Sequence, residues 1–179
     1  HLALGGATFT IAKGEVCGLL GPNGAGKSTT LKILSGVMEP DGGRRLVNGI
    51  DPATSPLEAK RQIGYLPETP ILYKEMRVGE YLQYVSTLKG IPSSRAQIEM
   101  EEVVSQCGIA PVLKKTIGTV SKGYRQRTAL AQALLGQPSV LLLDEPTNDL
   151  AVNTLRALEV ALESFAGCAV VISHDRWFL

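Results

Sequence analysis

Apolar runs of membrane length, blocks of positive charge and paired cysteines are all missing from this sequence. No uninterrupted apolar stretch approaches the roughly 20 residues that a bilayer-crossing helix needs, and the opening residues lack a signal-peptide pattern. Any link to a membrane is therefore expected to run through a partner. The 18 Lys and Arg residues face 17 Asp and Glu for a net charge of +1, without a basic block, so the electrostatic footprint of a nucleic-acid binder is absent. Direct binding of RNA or DNA by this segment is not expected. Cys17, Cys107 and Cys168 are odd in number and far apart, which suits buried thiols in a reducing compartment better than a disulfide framework or metal ligands. There is neither an internal repeat nor a low-complexity segment. The chain opens on His1 and stops at Leu179 directly after an apolar run; a fragment trimmed at both ends is expected.

What is present suits one domain with a substantial core: 179 residues, 44% hydrophobic and 20% charged. The chain is organised around Gly21-Pro22-Asn23-Gly24-Ala25-Gly26-Lys27-Ser28-Thr29, which fills the phosphate-loop pattern G-x-x-x-x-G-K-[S/T] from Gly21 to Ser28. Before it, Val16-Cys17-Gly18-Leu19-Leu20 reads as a short buried strand. After it, Leu31, Leu34 and Val37 recur at helical spacing, with Gly36 and Pro40 as stop signals. Each residue type has a physical task. The glycines reach backbone conformations closed to other residues and let the chain approach a phosphate, so consecutive N–H groups can point inward as an anion nest. The following helix adds its positive dipole end. Lys27 is expected to reach the β and γ phosphates, and the Ser28 hydroxyl to ligate Mg²⁺.

The rest of the chain reads as alternating strands and helices. Ala7, Phe9 and Ile11 alternate with polar or small neighbours up to Lys13-Gly14, and Arg45-Leu46-Val47 precedes an Asn48-Gly49 turn. Together they predict a small antiparallel β layer at the N-terminus, with Phe9 in the core. Ser55-Pro56 starts a short helix through Lys60, and Ile63-Gly64-Tyr65-Leu66 is a strand leading to Pro67-Glu68. Val78, Tyr81, Leu82, Val85 and Leu88 form one helical stripe. A second helix opens at Ser94, with Gln97 at capping-box spacing, carries Met100, Val103, Val104 and Cys107 on one face, and ends at Gly108. Ser121-Lys122-Gly123 precedes a helix to about Leu135, closed by Gly136 and Pro138. The apolar strand Val140 to Leu143 follows, then a helix with Leu155, Leu158, Leu162 and Phe165 on one face, and a strand from Cys168 to Ile172. Strands apolar throughout, alternating with helices, indicate an α/β fold with a mostly parallel sheet covered by helices. Residues from about 69 to 135 form a helical subdomain inserted in that core, exposed at its edges and suited to docking a partner.

Val140-Leu141-Leu142-Leu143 ends in Asp144-Glu145, and the carboxyl edge of a parallel sheet is where ligands bind. Asp144 is expected to hold Mg²⁺ through water, and Glu145 to polarise an attacking water. The competing reading, two acids that only begin a turn, leaves the upstream phosphate loop without a metal partner.

With Ser121-Lys122-Gly123-Tyr124-Arg125-Gln126 between these two motifs and Ser173-His174-Asp175 after them, nearly the whole chain resembles the ATP-binding cassette family. The resemblance implies a P-loop ATPase with ATP and Mg²⁺ as cofactors, working as a head-to-tail dimer with a second cassette. Ser121 and Gly123 of one subunit would close over the γ-phosphate held by the other. His174 matches the switch histidine, and Glu68 stands where the family usually places a metal-binding glutamine. The signature departs from S-G-G-Q, since Lys122 and Tyr124 intrude. These two variants resemble the ATPase subunits of drug, sodium and gliding-motility exporters, which implies a membrane-spanning subunit as partner and a place at the cytoplasmic face of the membrane. Ala151 replaces the usual aspartate after the Asp144 motif, which bears on coupling between the two ATP sites. Leu143 to Leu150 and the ending Ser173 to Leu179 look instead like the ABC-F proteins, ribosome-associated ATPases with two cassettes. The alternative to an exporter is therefore a translation-factor cassette, or an inactive nucleotide-binding fragment. A natural mosaic, a recombinant assembly and a designed composite each account for the join. The family's adenine-stacking aromatic would precede His1, so weakened base recognition is expected.

Overall fold

The computed structural model describes residues 4–146 and 152–173. Its strands are β1 (Val16–Leu19), β2 (Ile63–Leu66), β3 (Val140–Asp144) and β4 (Cys168–Ile172). Its helices are α1 (Lys27–Leu34), α2 (Pro56–Arg61), α3 (Val78–Leu88), α4 (Ser93–Gln106), α5 (Lys122–Leu134) and α6 (Val152–Glu163). The chain divides into two compact units, one of His1–Glu68, Pro138–Asn148 and Ala166–Leu179, the other of Thr69–Gln137 and Asp149–Phe165.

The first unit is built on a sheet of order β1-β4-β3-β2, in which every neighbouring pair is parallel. Continuous apolar sequence makes β3 and β4 its interior strands: Leu141, Leu142 and Leu143 are fully buried, as are Val171 and Ile172. Leu31 of α1 packs with Val47, Ile63, Leu142, Val170 and Ile172 into one core cluster, each large side chain contributing about 1.5–3 kcal/mol by its removal from water. The register decides where the ligand edge lies. Ile172 stands opposite Leu19 on one side and opposite Asp144 on the other. The carboxyl ends of β1, β4 and β3 are therefore level, and the loop after β1 starts beside the acids after β3.

The expected N-terminal β layer is not among the strands of the described residues. Residues 7–12 pair with no strand, and Phe9, expected in the core, is 45% exposed, while Ile11 packs half-buried against the sheet core; one apolar contact without a ladder partner does not make a strand. Only the turn survives. Val47 and Ile50 exchange two 2.9 Å backbone hydrogen bonds around Asn48 and Gly49, which sit at φ 51° and 78°, the conformation that Asn-Gly favours in a two-residue hairpin. Of the cysteines, Cys107 is buried as expected, whereas Cys17 and Cys168 are only half-buried.

The second unit is helical. Val78, Tyr81, Leu82 and Val85 bury the inner face of α3, while Leu88 is exposed. The helix opens with a one-sided cap, the Arg77 N–H donating to Glu80 Oε2 at 3.2 Å. The capping box expected at Ser94 does not form. Pro92 is the N-cap of α4, its fixed φ suits a helix start, and Ser94 falls inside the first turn. Gln97 donates instead to Glu101 at 2.6 Å. Among the described residues, no helix is long and apolar enough to cross a membrane.

Candidate functional site

The loop from Gly21 to Gly26 turns on backbone that only glycine adopts without strain. Gly24 and Gly26 lie at φ 82° and 85°, and Gly21 at φ 155° would bring a Cβ within 3.3 Å of the Ala25 Cβ. Gly26 is the N-cap of α1 and, having no side chain, offers no side-chain cap. The first N–H groups of the helix thus stay available to an anion, with the dipole behind them. Lys27 arches back over the loop, its ammonium donating to the carbonyls of Gly21 at 2.8 Å and Pro22 at 3.1 Å. Pro22, Asn23 and Ala25 form the exposed turn between the glycines, with the Ala25 N–H donating to the Pro22 carbonyl. Thr29 is half-buried in the first turn of α1. The concave side of this arch fits a phosphate chain by donor count and charge.

Two motifs separated by 116 positions meet here: the Ser28 hydroxyl donates to Asp144 Oδ1 at 3.2 Å. Burial raises the Asp144 carboxyl above the usual carboxylate range, the Ser28 hydrogen bond opposes this, Glu68 and Glu145 raise it further, and Lys32 lowers it. Hydroxyl and carboxylate oxygens are the donors a hard divalent cation takes, with water and phosphate completing its shell. Among the described residues, no three His, Cys, Asp or Glu side chains form a metal cage, so a Mg²⁺ ion here would depend on the nucleotide for the rest of its ligands. The donor set fits that ion. Glu68 lies at the exposed end of β2, close enough for its charge to act on Asp144.

Glu145 is buried at 9% exposure and holds φ at 48°, a left-handed conformation that costs a non-glycine residue about 1–3 kcal/mol where the surroundings impose it. Its N–H donates to the Ile172 carbonyl at 2.9 Å, extending the β3–β4 ladder by one rung. The strand ends there and the carboxylate is redirected by its own backbone.

Ser121 and Gly123 belong to the second unit. Ser121 caps α5, its hydroxyl oxygen accepting from the Tyr124 N–H at 3.4 Å, and Arg127 stacks on the Tyr124 ring at 4.1 Å. His174 lies outside the described residues, as does Ala151. Two residues near Asp144 escaped the sequence reading. Lys32 follows Ser28 by one helical turn, a spacing that puts it on the same helix face. Tyr65 lies on β2, and burial followed by the Asp144 charge raises its phenol pKa. Its signal was weak, because only the β2–β3 pairing brings it beside the acid.

A glycine arch at the end of a parallel strand, a lysine, a serine bonded to the acid of a neighbouring strand and a strained glutamate after it define a P-loop NTPase. Known proteins bear this out. The family model described as "ABC transporter" matches residues 4–148, and the chain belongs to that family of ATPase cassettes, for which ATP hydrolysis is the characteristic activity. It is 39% identical over 149 residues to the ABC transporter ATP-binding protein NatA of Bacillus subtilis, covering 82% of this chain and 60% of that protein. It is 40% identical over 174 residues to the energy-dependent translational throttle protein EttA of Haemophilus influenzae, covering 96% of this chain and 29% of that protein. The solved ATP-binding subunit of an ABC transporter superposes with a TM-score of 0.83 at 30% identity, over 96% of this chain and 73% of that one. The chain thus spans less than two thirds of these curated relatives.

Proposed function

We propose that the chain binds ATP with Mg²⁺ and hydrolyses it to ADP and phosphate, as one half of a cassette pair that energises an exporter. The observation that carries this reading is the Ser28–Asp144 hydrogen bond beneath an uncapped, glycine-cornered helix start. Lys27 and the amides from Gly21 to Thr29 hold the phosphates. Ser28 and Asp144, with Glu68, supply the protein's oxygens for Mg²⁺, which when bound neutralises charge on the β and γ phosphates. Glu145 takes a proton from water as the water oxygen bonds to the γ-phosphorus, and the bond from that phosphorus to the β–γ bridging oxygen breaks to release ADP. His174 orients that water. Ser121 and Gly123 of the partner cassette close the site from the other side, and a membrane-spanning subunit at the cytoplasmic face receives the motion. NatA-like identity supports a transporter cassette, and the resemblance carried by Glu68 and the Lys122 signature favours an exporter. EttA-like identity over 174 residues and the Leu143-to-Leu150 stretch favour a second reading, a cassette of a ribosome-associated factor.

Hydrolysis of ATP by the purified chain over a range of protein concentrations tests the first reading. Specific activity should rise with concentration; Glu145→Gln should lower it by about 10²–10⁴, the usual contribution of a positioned base, and Lys27→Ala should lower both nucleotide binding and activity. Binding without turnover in the unaltered chain would overturn it.

A further inference from the structure

The second unit holds a polar cluster that none of this chemistry uses. At the end of α5 remote from Ser121, the Lys89 ammonium donates to the carbonyls of Leu135 at 2.6 Å, Gln132 at 2.9 Å and Ala133 at 3.3 Å. The hydroxyl of Tyr81, a buried residue of α3, donates to Oε1 of Gln132. Glu99 of α4 is buried at 3% exposure; one carboxylate oxygen accepts the Gly136 N–H at 3.1 Å and the other accepts the Arg95 guanidinium at 2.6 Å. Two helices therefore grip one end of a third.

Gly136, at φ 84°, has the left-handed backbone of a usual helix closure, but its N–H goes to Glu99 and not to a carbonyl of α5. The helix end is therefore closed mainly by side chains of its neighbours rather than by its own backbone. A Cβ on Gly136 would touch the Lys89 stem, 3.5 Å away. Lys89 is held at a cost, because burial pushes its ammonium down to about 8 against the opposing pull of Glu99. Burying these charges gives little net stability, but displacing either from its hydrogen-bond partners is punished. Its gain is position.

We infer that Tyr81, Lys89 and Glu99 are positioning residues for the signature end of α5: they fix one end of a rigid helix so that Ser121 and Gly123, at the other, are presented in constant register to a phosphate. The inference rests on the proposed role of those two residues. The helix has 13 residues, a rod of about 20 Å, so slippage at the gripped end is carried along the axis to Ser121. Misplacement by ~1 Å can cost up to about a hundredfold in rate.

The test compares the unaltered chain with Tyr81→Phe, which removes one hydroxyl, and with Lys89→Met. Three readouts are taken: steady-state ATP hydrolysis, binding of a fluorescent ATP analogue, and amide hydrogen exchange. Tyr81→Phe should lower kcat about tenfold, as expected for a sub-ångström slip, while affinity for the analogue stays within about twofold because the phosphate loop is untouched. Exchange should quicken along α5 up to its first turns and stay unchanged in α1. Unchanged kcat, or equal losses of binding and hydrolysis, would overturn the inference, the latter because it reports general damage. If the unaltered chain binds the analogue but does not turn over ATP, the proposed function fails and exchange alone decides: quickening at residues 122–126 supports the clamp, and quickening confined to residues 131–134 overturns it.

Discussion

In the sheet unit, Ser28 and Asp144 meet because two parallel strands end level on either side of β4. In the helical unit, Ser121 is set by a helix whose far end is gripped by side chains from α3 and α4. The first arrangement uses backbone: glycines at positive φ, a ladder that runs one rung past β3, and Glu145 turned by its own φ of 48°. The second uses side-chain packing and buried charge. Backbone-built sites are stiff wherever the sheet is intact. Those built on packed helices hold their place only as long as the packing does.

Breaking each core separately gives the largest effects. Leu142→Ala and Leu82→Ala remove fully buried side chains from the sheet unit and from α3, and each should cost about 2–5 kcal/mol, measured by urea denaturation. The comparison predicts different consequences. Leu142→Ala should weaken ADP binding along with stability, and Leu82→Ala should spare it; equal losses of affinity would erase the distinction between the units.

A smaller effect sharpens the helical side. Burial lowers Lys89 from its ordinary 10.5 to about 8, so between pH 8 and 10.5 the unfolded chain keeps a proton that the folded chain has released. Stability must rise with pH across that window, since the unfolded state binds more protons there. The penalty is fully present below pH 8 and gone above 10.5. Urea midpoints at pH 7.5, 9 and 10 should climb more steeply in the unaltered chain than in Lys89→Met, and parallel slopes would refute the assignment. The smallest effect concerns the sheet unit. Glu145→Asn substitutes a residue that tolerates the left-handed region, and it should be about 1 kcal/mol more stable than Glu145→Gln, which also lacks the carboxylate, while hydrolysis is lost in both. An Asn variant no more stable than the Gln variant would show that position 145 is not strained.

Local signals made much of this legible. The phosphate loop, the apolar runs of β3 and β4, the stripe from Val78 to Leu88 and the Asn48-Gly49 turn were each written in consecutive residues, where turn chemistry and hydrophobic period act directly. Failures came where a partner decided the outcome. Ala7 to Ala12 alternates like a strand but pairs with none, because alternation specifies a face and not a neighbour. Ser94 had the spacing of a cap, but Pro92 started the helix earlier. Tyr65 and Lys32 were missed because their effect on Asp144 depends on pairing across β2 and β3 and on the pitch of α1.

By itself, the sequence determined the chemistry available to this protein: a glycine arch with Lys27 and Ser28, two acids at a strand end, and the family to which that order of motifs belongs. Tertiary structure alone decided which of those groups touch. The 3.2 Å contact of Ser28 with Asp144, the raised pKa of that acid and the grip of Lys89 on α5 all join residues remote in sequence. Local propensity carries no information about such distances; they follow from burying one apolar strand between two others and one helix against its neighbours.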